Sequence, residues 1–156
     1  IDTIVDGTQS DDMGDYRPGI DALHGNGIRS PLLEVKFSKK HVRDIAKDVG
    51  LSIYDKPSNS CLASRIPWGQ RVTAEKLARI ELSEKIIKQK IGVQQVRVRD
   101  VDGLARIEVE LDKLSLLDDP EIKNEIFSKL KMIGFSEVEI NPNGYVSGSL
   151  NVIFEN

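Results

Sequence analysis

Two runs of alternating residues flank Asp102-Gly103: Val96-Arg97-Val98-Arg99 before it, and Ala105-Arg106-Ile107-Glu108-Val109-Glu110-Leu111 after it. Asp-Gly tolerates the positive φ angles of a two-residue turn whose twist matches its strands, so the pattern predicts a β-hairpin. With these two residues as the loop, Val101 pairs with Leu104, Arg99 with Arg106 and Arg97 with Glu108. Side chains alternate along a strand, which places Val96, Val98, Ala105, Ile107, Val109 and Leu111 on one face and most of the charges on the other. Arg97, Arg99 and Arg106 outnumber Glu108 there. Such a face suits a phosphate or carboxylate held by guanidinium forks; the competing reading is a solvated outer sheet face.

Helices are expected on either side of the hairpin. Thr73 caps one that runs to Ile91, with Leu77, Ile80, Ile87 and Ile91 at core spacing and Gly92 as its stop. Glu84 falls on the same stripe. A carboxylate there is costly unless it is paired or borders a polar cavity, or unless it lies at the margin and reaches water. Asp119-Pro120 starts a second helix with Ile122, Ile126, Leu130 and Ile133 as its stripe, ended by Gly134. A strand is expected at 138–140, and the Gly- and Ser-rich stretch 144–154 reads as a loop with a last strand at 150–154. The order helix, strand, strand, helix, strand makes residues 73–156 a small α+β domain.

Upstream, residues 1–6 read as a short buried strand ending at Asp6-Gly7-Thr8, and 32–37 as a second strand after Ser30-Pro31. Ser38 then caps a helix with Val42, Ile45, Ala46 and Val49 as its apolar stripe, closed by Gly50. Residues 1–56 are therefore expected to be part of an open, parallel-sheet α/β layer. The chain opens without methionine on an apolar segment, so the rest of that sheet is expected upstream.

Between the two units, residues 57–72 form a joint that carries the sole cysteine, Cys61, and the sole tryptophan, Trp68. Prolines at 57 and 67, with Ser58-Asn59-Ser60 between, predict an ordered loop. The thiolate is the reactive form of cysteine, and a neighbouring guanidinium such as Arg65 favours it. The other reading is a small buried hydrophobe that does nothing. One cysteine excludes an internal disulfide framework, and with His24 and His41 far from it there is no zinc-type spacing. A net charge of -3 supplies no general attraction to nucleic acid or an anionic membrane. No signal-peptide order and no apolar run near the ~20 residues of a bilayer span occur, and the expected location is cytoplasmic.

Several stretches together resemble the LarE family: Asp6-Gly7-Thr8-Gln9-Ser10-Asp11-Asp12 with Asp15-Tyr16-Arg17-Pro18-Gly19, Ser30-Pro31-Leu32, Lys56-Pro57, Cys61-Leu62-Ala63-Ser64-Arg65, Ile80-Glu81 with Glu84, Arg97-Val98-Arg99, Arg106-Ile107-Glu108, and Gly144-Tyr145-Val146-Ser147-Gly148-Ser149. These are ATP-dependent sacrificial sulfur transferases of nickel-pincer nucleotide cofactor synthesis, within the PP-loop ATP pyrophosphatase superfamily. The resemblance covers nearly the whole chain and identifies it with the carboxyl-terminal part of such a protein. It implies a PP-loop layer over 1–56, a catalytic cysteine loop over 57–72 and a substrate-binding α+β domain over 73–156. It also implies that ATP with Mg2+ adenylates a carboxylate of pyridinium-3,5-biscarboxylic acid mononucleotide. Cys61 then gives up its sulfur and remains as dehydroalanine.

In that scheme Arg65 activates the thiol, and Glu84 orients a cation or removes the α-proton of Cys61. Ser64, Arg97 and Arg99 hold the nucleotide phosphate, Glu108 positions Arg97, and Thr8 and Asp12 bind ATP or Mg2+ at a strand's carboxyl end. For Thr8 and Asp12 a capped turn is the competing reading. The partner implied is a small nucleotide substrate, with no nucleic acid and no membrane, in a homo-oligomer. Two departures stand out. The family's Ser-Gly-Gly-rich phosphate loop is not in the sequence and is expected upstream of Ile1, so this portion alone is not expected to hydrolyse ATP; and Val146 stands where the family usually has arginine. A subgroup with several cysteines is thought to draw sulfur from an iron–sulfur cluster, whereas one cysteine fits the sacrificial type. The rival classes are another PP-loop enzyme and a non-catalytic anion-binding module. A tRNA or nucleobase sulfur transferase should show a basic surface, and an amide-forming synthetase would need no cysteine.

Overall fold

The structure, a computed structural model, describes residues 3–14 and 19–146. The chain divides into two compact units, Ile1–Lys56 and Pro57–Asn156.

The first unit is built from short helices: α1 (Gly19–Gly25), α2 (Pro31–Glu34) and α3 (Lys39–Asp48), preceded by a 3₁₀ turn at Ser10–Gly14. Of the strand expected at 1–6, the described residues 3–6 keep one parallel bridge, between Val5 and Arg29. Nor is it buried, since Ile4 and Val5 are exposed. The strand expected at 32–37 is α2 instead. Pro31 occupies the first helical position, where its fixed φ favours the helix and its missing N–H costs nothing. The amides that follow turn back, Glu34 N donating to Ser30 O at 2.9 Å and Phe37 N to Leu32 O at 2.8 Å. The Ser-Pro pair is thus a helix start that sequence reading took for a strand boundary. Ser38 caps α3 as expected, in a reciprocal box: its hydroxyl accepts from His41 N, and its own amide donates to His41 Nδ1. The stripe of α3 nevertheless lies open, with Ile45 and Val49 exposed, and Ser30 alone among this unit's described residues is buried.

The second unit is mixed α/β around a three-stranded sheet ordered β1-β2-β3: β1 (Val96–Val101), β2 (Leu104–Val109) and β3 (Glu137–Ile140). β1 and β2 are antiparallel with Val101 opposite Leu104, Arg99 opposite Arg106 and Arg97 opposite Glu108, which is the expected register. Asp102 (φ 50°) and Gly103 (φ 90°) make the turn. β3 returns parallel to β2 after a 3₁₀ segment, Leu111–Leu117, and helix α5 (Pro120–Met132). One sheet face is packed by α4 (Ala74–Ile91) and α5, where Ile87, Ile126 and Leu130 meet Val96, Val98, Ala105, Ile107 and Val109. Leu111, expected on that face, is exposed, because β2 ends at Val109 and the chain turns into the 3₁₀ segment.

Caps set both helices. The Thr73 hydroxyl accepts from Lys76 N, and the Asp119 carboxylate accepts from Glu121 N and Ile122 N with Pro120 next in line. Glu84 is buried on α4 with Ile80, Ser83 and Ile87 rather than reaching water. Gly144 closes the described part of the unit with φ +64°, and a Cβ there would lie 2.8 Å from Val109 O. Gly144→Ala should therefore lower stability, by about 1–2 kcal/mol from the left-handed backbone alone, and a urea titration of both proteins reads the difference. The strand expected at 150–154 lies outside the described residues. Among those described, no helix is long and apolar enough to cross a membrane.

Candidate active site

The charged face of the hairpin is covered rather than solvated. Arg97, Arg99 and Glu108 are buried, and only Arg106 of that set stays partly open, paired with Glu139. The cysteine loop supplies the cover. Its backbone carbonyls are what the guanidiniums bind: Arg97 Nη2 donates to Ser58 O at 2.6 Å, Arg65 Nη1 to Ser60 O at 2.9 Å and Cys61 O at 3.1 Å, and Arg99 Nη1 to Ser64 O at 2.7 Å. Loop carbonyls have no ladder to join, and buried ones need a donor. Three arginines from two elements meet that need and fix the loop in one conformation.

Cys61 stands exposed at the head of the 3₁₀ turn Leu62–Arg65. Its carbonyl also accepts from Ser64 N at 3.0 Å and the Ser64 hydroxyl at 2.8 Å. Ser64, expected to reach a phosphate, is here a turn residue, touching Ser60 Oγ as well. Arg65, expected beside the thiol, is fully buried behind it. It forks onto Glu84, Nε to Oε1 at 2.8 Å and Nη2 to Oε2 at 3.2 Å. Glu84 Oε1 further accepts from Val98 N at 3.2 Å, so one carboxylate neutralises Arg65 and caps an amide of strand β1.

Glu108 was expected to position Arg97, directly opposite. It binds Arg99 instead, accepting from Nε and Nη2 at 2.9 Å, with Asn141 Nδ2 at 3.4 Å. The reason is that Arg97 turns away, onto Val96 O at 3.0 Å, Ser58 O and the ring of Tyr145 at 5.4 Å. Among the described residues Arg97 has no carboxylate partner. Burial, and then the charge of Arg65, pull its guanidinium below the usual value. Arg65, Arg97 and Arg99 against Glu84 and Glu108 leave one positive charge in excess in a buried cluster. An anion would relieve it.

Thr8 and Asp12 belong to the first unit, where they hold a turn: Thr8 Oγ1 donates to Asp6 Oδ2 at 2.7 Å, and Asp12 Oδ2 accepts from Gln9 N at 3.0 Å. Hydrogen bonds from Ser30 and then Thr8 hold the Asp6 carboxyl below its ordinary value. Among the described residues no three His, Cys, Asp or Glu side chains converge as a metal centre would require.

Sequence reading did not single out two further lining residues. A cleft of about 470 Å³ opens beside Cys61, walled by 59–62 on one side and by Glu81, Glu84, Lys85 and Lys88 of α4 on the other. The signal was present in the helical spacing, since positions 81, 84, 85 and 88 share the face that Glu84 marks. Arg79 was also missed; it pairs with the buried Asp100 at 2.6 Å and packs over Phe135, on the core side of the sheet.

What the fold and site define is a small α/β unit that presents an exposed thiol above a buried arginine–glutamate cluster. Relatives of known sequence carry the comparison further, although no protein-family model matches the chain. It is 33% identical over 148 residues to the pyridinium-3,5-bisthiocarboxylic acid mononucleotide synthase of Lactiplantibacillus plantarum, a match covering 95% of the chain and 52% of that protein. It is 41% identical over 148 residues to an uncharacterized protein of Synechocystis, covering 95% of the chain and 55% of that protein, and 36% identical over 146 residues to an uncharacterized protein of Methanocaldococcus jannaschii, covering 94% and 56%. The chain spans about half the length of the curated relatives it matches.

Proposed function

We propose that the chain is the cysteine-bearing part of a LarE-type sacrificial sulfur transferase, with 1–56 contributing to a PP-loop layer and 57–156 delivering the sulfur. The observation that carries this reading is Cys61 itself, exposed on a loop that three buried arginines hold by its carbonyls. A thiol that is only core filler is buried; this one is presented to a cleft. The open apolar stripe of α3 and the single parallel bridge among the first unit's described residues are what part of a larger α/β layer would leave uncovered.

The substrate is pyridinium-3,5-biscarboxylic acid mononucleotide, and ATP with Mg2+ converts one of its carboxylates into an acyl adenylate. The Cys61 thiolate attacks the acyl carbon; the S–C bond forms, the C–O bond to AMP breaks, and AMP leaves with the electron pair. A base then takes the Cα proton of Cys61, the Cβ–S bond breaks with its electrons on sulfur, and the substrate departs as a thiocarboxylate. Residue 61 stays behind as dehydroalanine. Arg65 with Ser64 sets the orientation of the thiol through the backbone, and Glu84 orients Arg65. Arg97, with the uncompensated charge, is the group that takes the nucleotide phosphate, with Arg99 beside it held by Glu108.

Turnover of the full-length protein with ATP and substrate should lower its intact mass by about 34 Da, one hydrogen sulfide, localised to the peptide holding residue 61. Cys61→Ala should abolish sulfur transfer and still allow adenylation. An unchanged mass beside thiolated product would place the sulfur source elsewhere.

A further inference from the structure

The cleft beside Cys61 holds charge that the guanidinium cluster does not use. On its α4 wall Glu84 is already neutralised by Arg65, which leaves Glu81, Lys85 and Lys88 as its other charged groups. Among the described residues none of these three side chains has a hydrogen-bond or ion-pair partner, although Glu81 precedes Lys85 by the four residues that suit a helical pair. Two ammoniums against one carboxylate give this side of the cleft a positive balance. All three arginines bind carbonyls of the loop and none lines the cleft, whose cations are Lys85 and Lys88.

We propose that Lys85 and Lys88 form a phosphate subsite facing Cys61, distinct from the arginine cluster, and that it receives the phosphate expelled when the thiolate attacks. This rests on the reading above, in which the group attacked is an acyl phosphate ester. In that step the sulfur bonds to the acyl carbon, the carbon–oxygen bond breaks, and its electron pair stays on the phosphate oxygen. Negative charge therefore grows on the leaving phosphate, one bond from the carbon under attack. Cations beside the thiol stabilise that charge as it develops, the kind of interaction that accelerates a reaction rather than merely binding its substrate. A lysine, a compact point charge on a flexible stem, can follow the group as it leaves.

The subsite is tested by the thiol's choice between an anionic and a neutral alkylating agent. In the full-length protein at low salt, the rate of carboxymethylation by iodoacetate relative to iodoacetamide at residue 61 is read by peptide mass. The thiolate fraction cancels in that ratio. Lys85→Met with Lys88→Met should lower the ratio about three- to ten-fold, as expected for two unit charges removed from within several ångströms in water; Glu81→Gln should raise it; and added salt should shrink both effects. A ratio within twofold of the parent in the double methionine variant, or one that falls in Glu81→Gln, overturns the subsite. The alkylation readout needs no sulfur transfer, so it stands even if residue 61 never loses mass in turnover. Where mass is lost, the double methionine variant should slow that loss by about 10²-fold or more, and Lys85→Arg with Lys88→Arg should recover most of it; sulfur loss at the parent rate in the methionine variant overturns the assignment to the leaving phosphate.

Discussion

Glu84→Gln should cost the Pro57–Asn156 unit about 3–5 kcal/mol, the range for breaking a buried ion pair from one side. The amide keeps the shape but leaves Arg65 charged, fully buried and without its carboxylate. A domain of this size holds about 5–15 kcal/mol in all, so the urea midpoint should fall by about a fifth or more with the slope unchanged. Removing both charges, Arg65→Met with Glu84→Leu, should return much of the loss, because the penalty comes from the orphaned charge. That double variant should still lose the setting of Cys61, since Ser60 O and Cys61 O lose their shared donor. A faster or slower alkylation of residue 61 in a stable double variant separates the two roles. An unchanged midpoint in Glu84→Gln would mean that the pair does not hold the unit together.

Arg97 and Arg99 should behave oppositely despite standing two residues apart on one face. Arg99→Met leaves Glu108 buried and unpaired and should destabilise by about 3–5 kcal/mol. Arg97→Met removes the one guanidinium of the cluster without a carboxylate among the described residues, so it orphans no charge, and the donors lost to Val96 O and Ser58 O should cost folding only about 1–3 kcal/mol. Its effect on substrate should be large. Losing a charge-assisted hydrogen bond typically costs about 1.5–3 kcal/mol, so substrate affinity should fall roughly 10- to 150-fold with ATP binding little changed. Denaturation and substrate titration on the two variants make the comparison, and equal stability losses or an unaltered affinity in Arg97→Met would refute the split.

The hairpin was legible because its signals are local. Alternation fixes which face each residue takes, and Asp102-Gly103 fixes the turn, so the pairing of Arg97 with Glu108 and Arg99 with Arg106 followed from spacing alone. The helices α4 and α5 were legible for the same reason, each marked by a cap, a stripe and a glycine stop. Residues 32–37 misled because a short apolar run after proline fits either a strand end or a first helical turn, and the pattern is too short for its period to decide. For the site, sequence chose Cys61, Arg65, Glu84, Arg97 and Arg99 but not what each one holds. Lys85 and Lys88 went unremarked because surface lysines on a helix are ordinary until something faces them.

By itself, the sequence determined the helices α4 and α5, the hairpin with its register and which loop carries the cysteine, since caps, turns and side-chain period act over a few residues. The tertiary structure alone decided that Glu84 faces Arg65, that Glu108 takes Arg99 and leaves Arg97 uncompensated, and that both hang on the carbonyls of 58–64. Those choices join residues nine to thirty-nine positions apart. Which guanidinium meets which carboxylate there depends on which groups are shut away from water together, and no spacing in the chain encodes that.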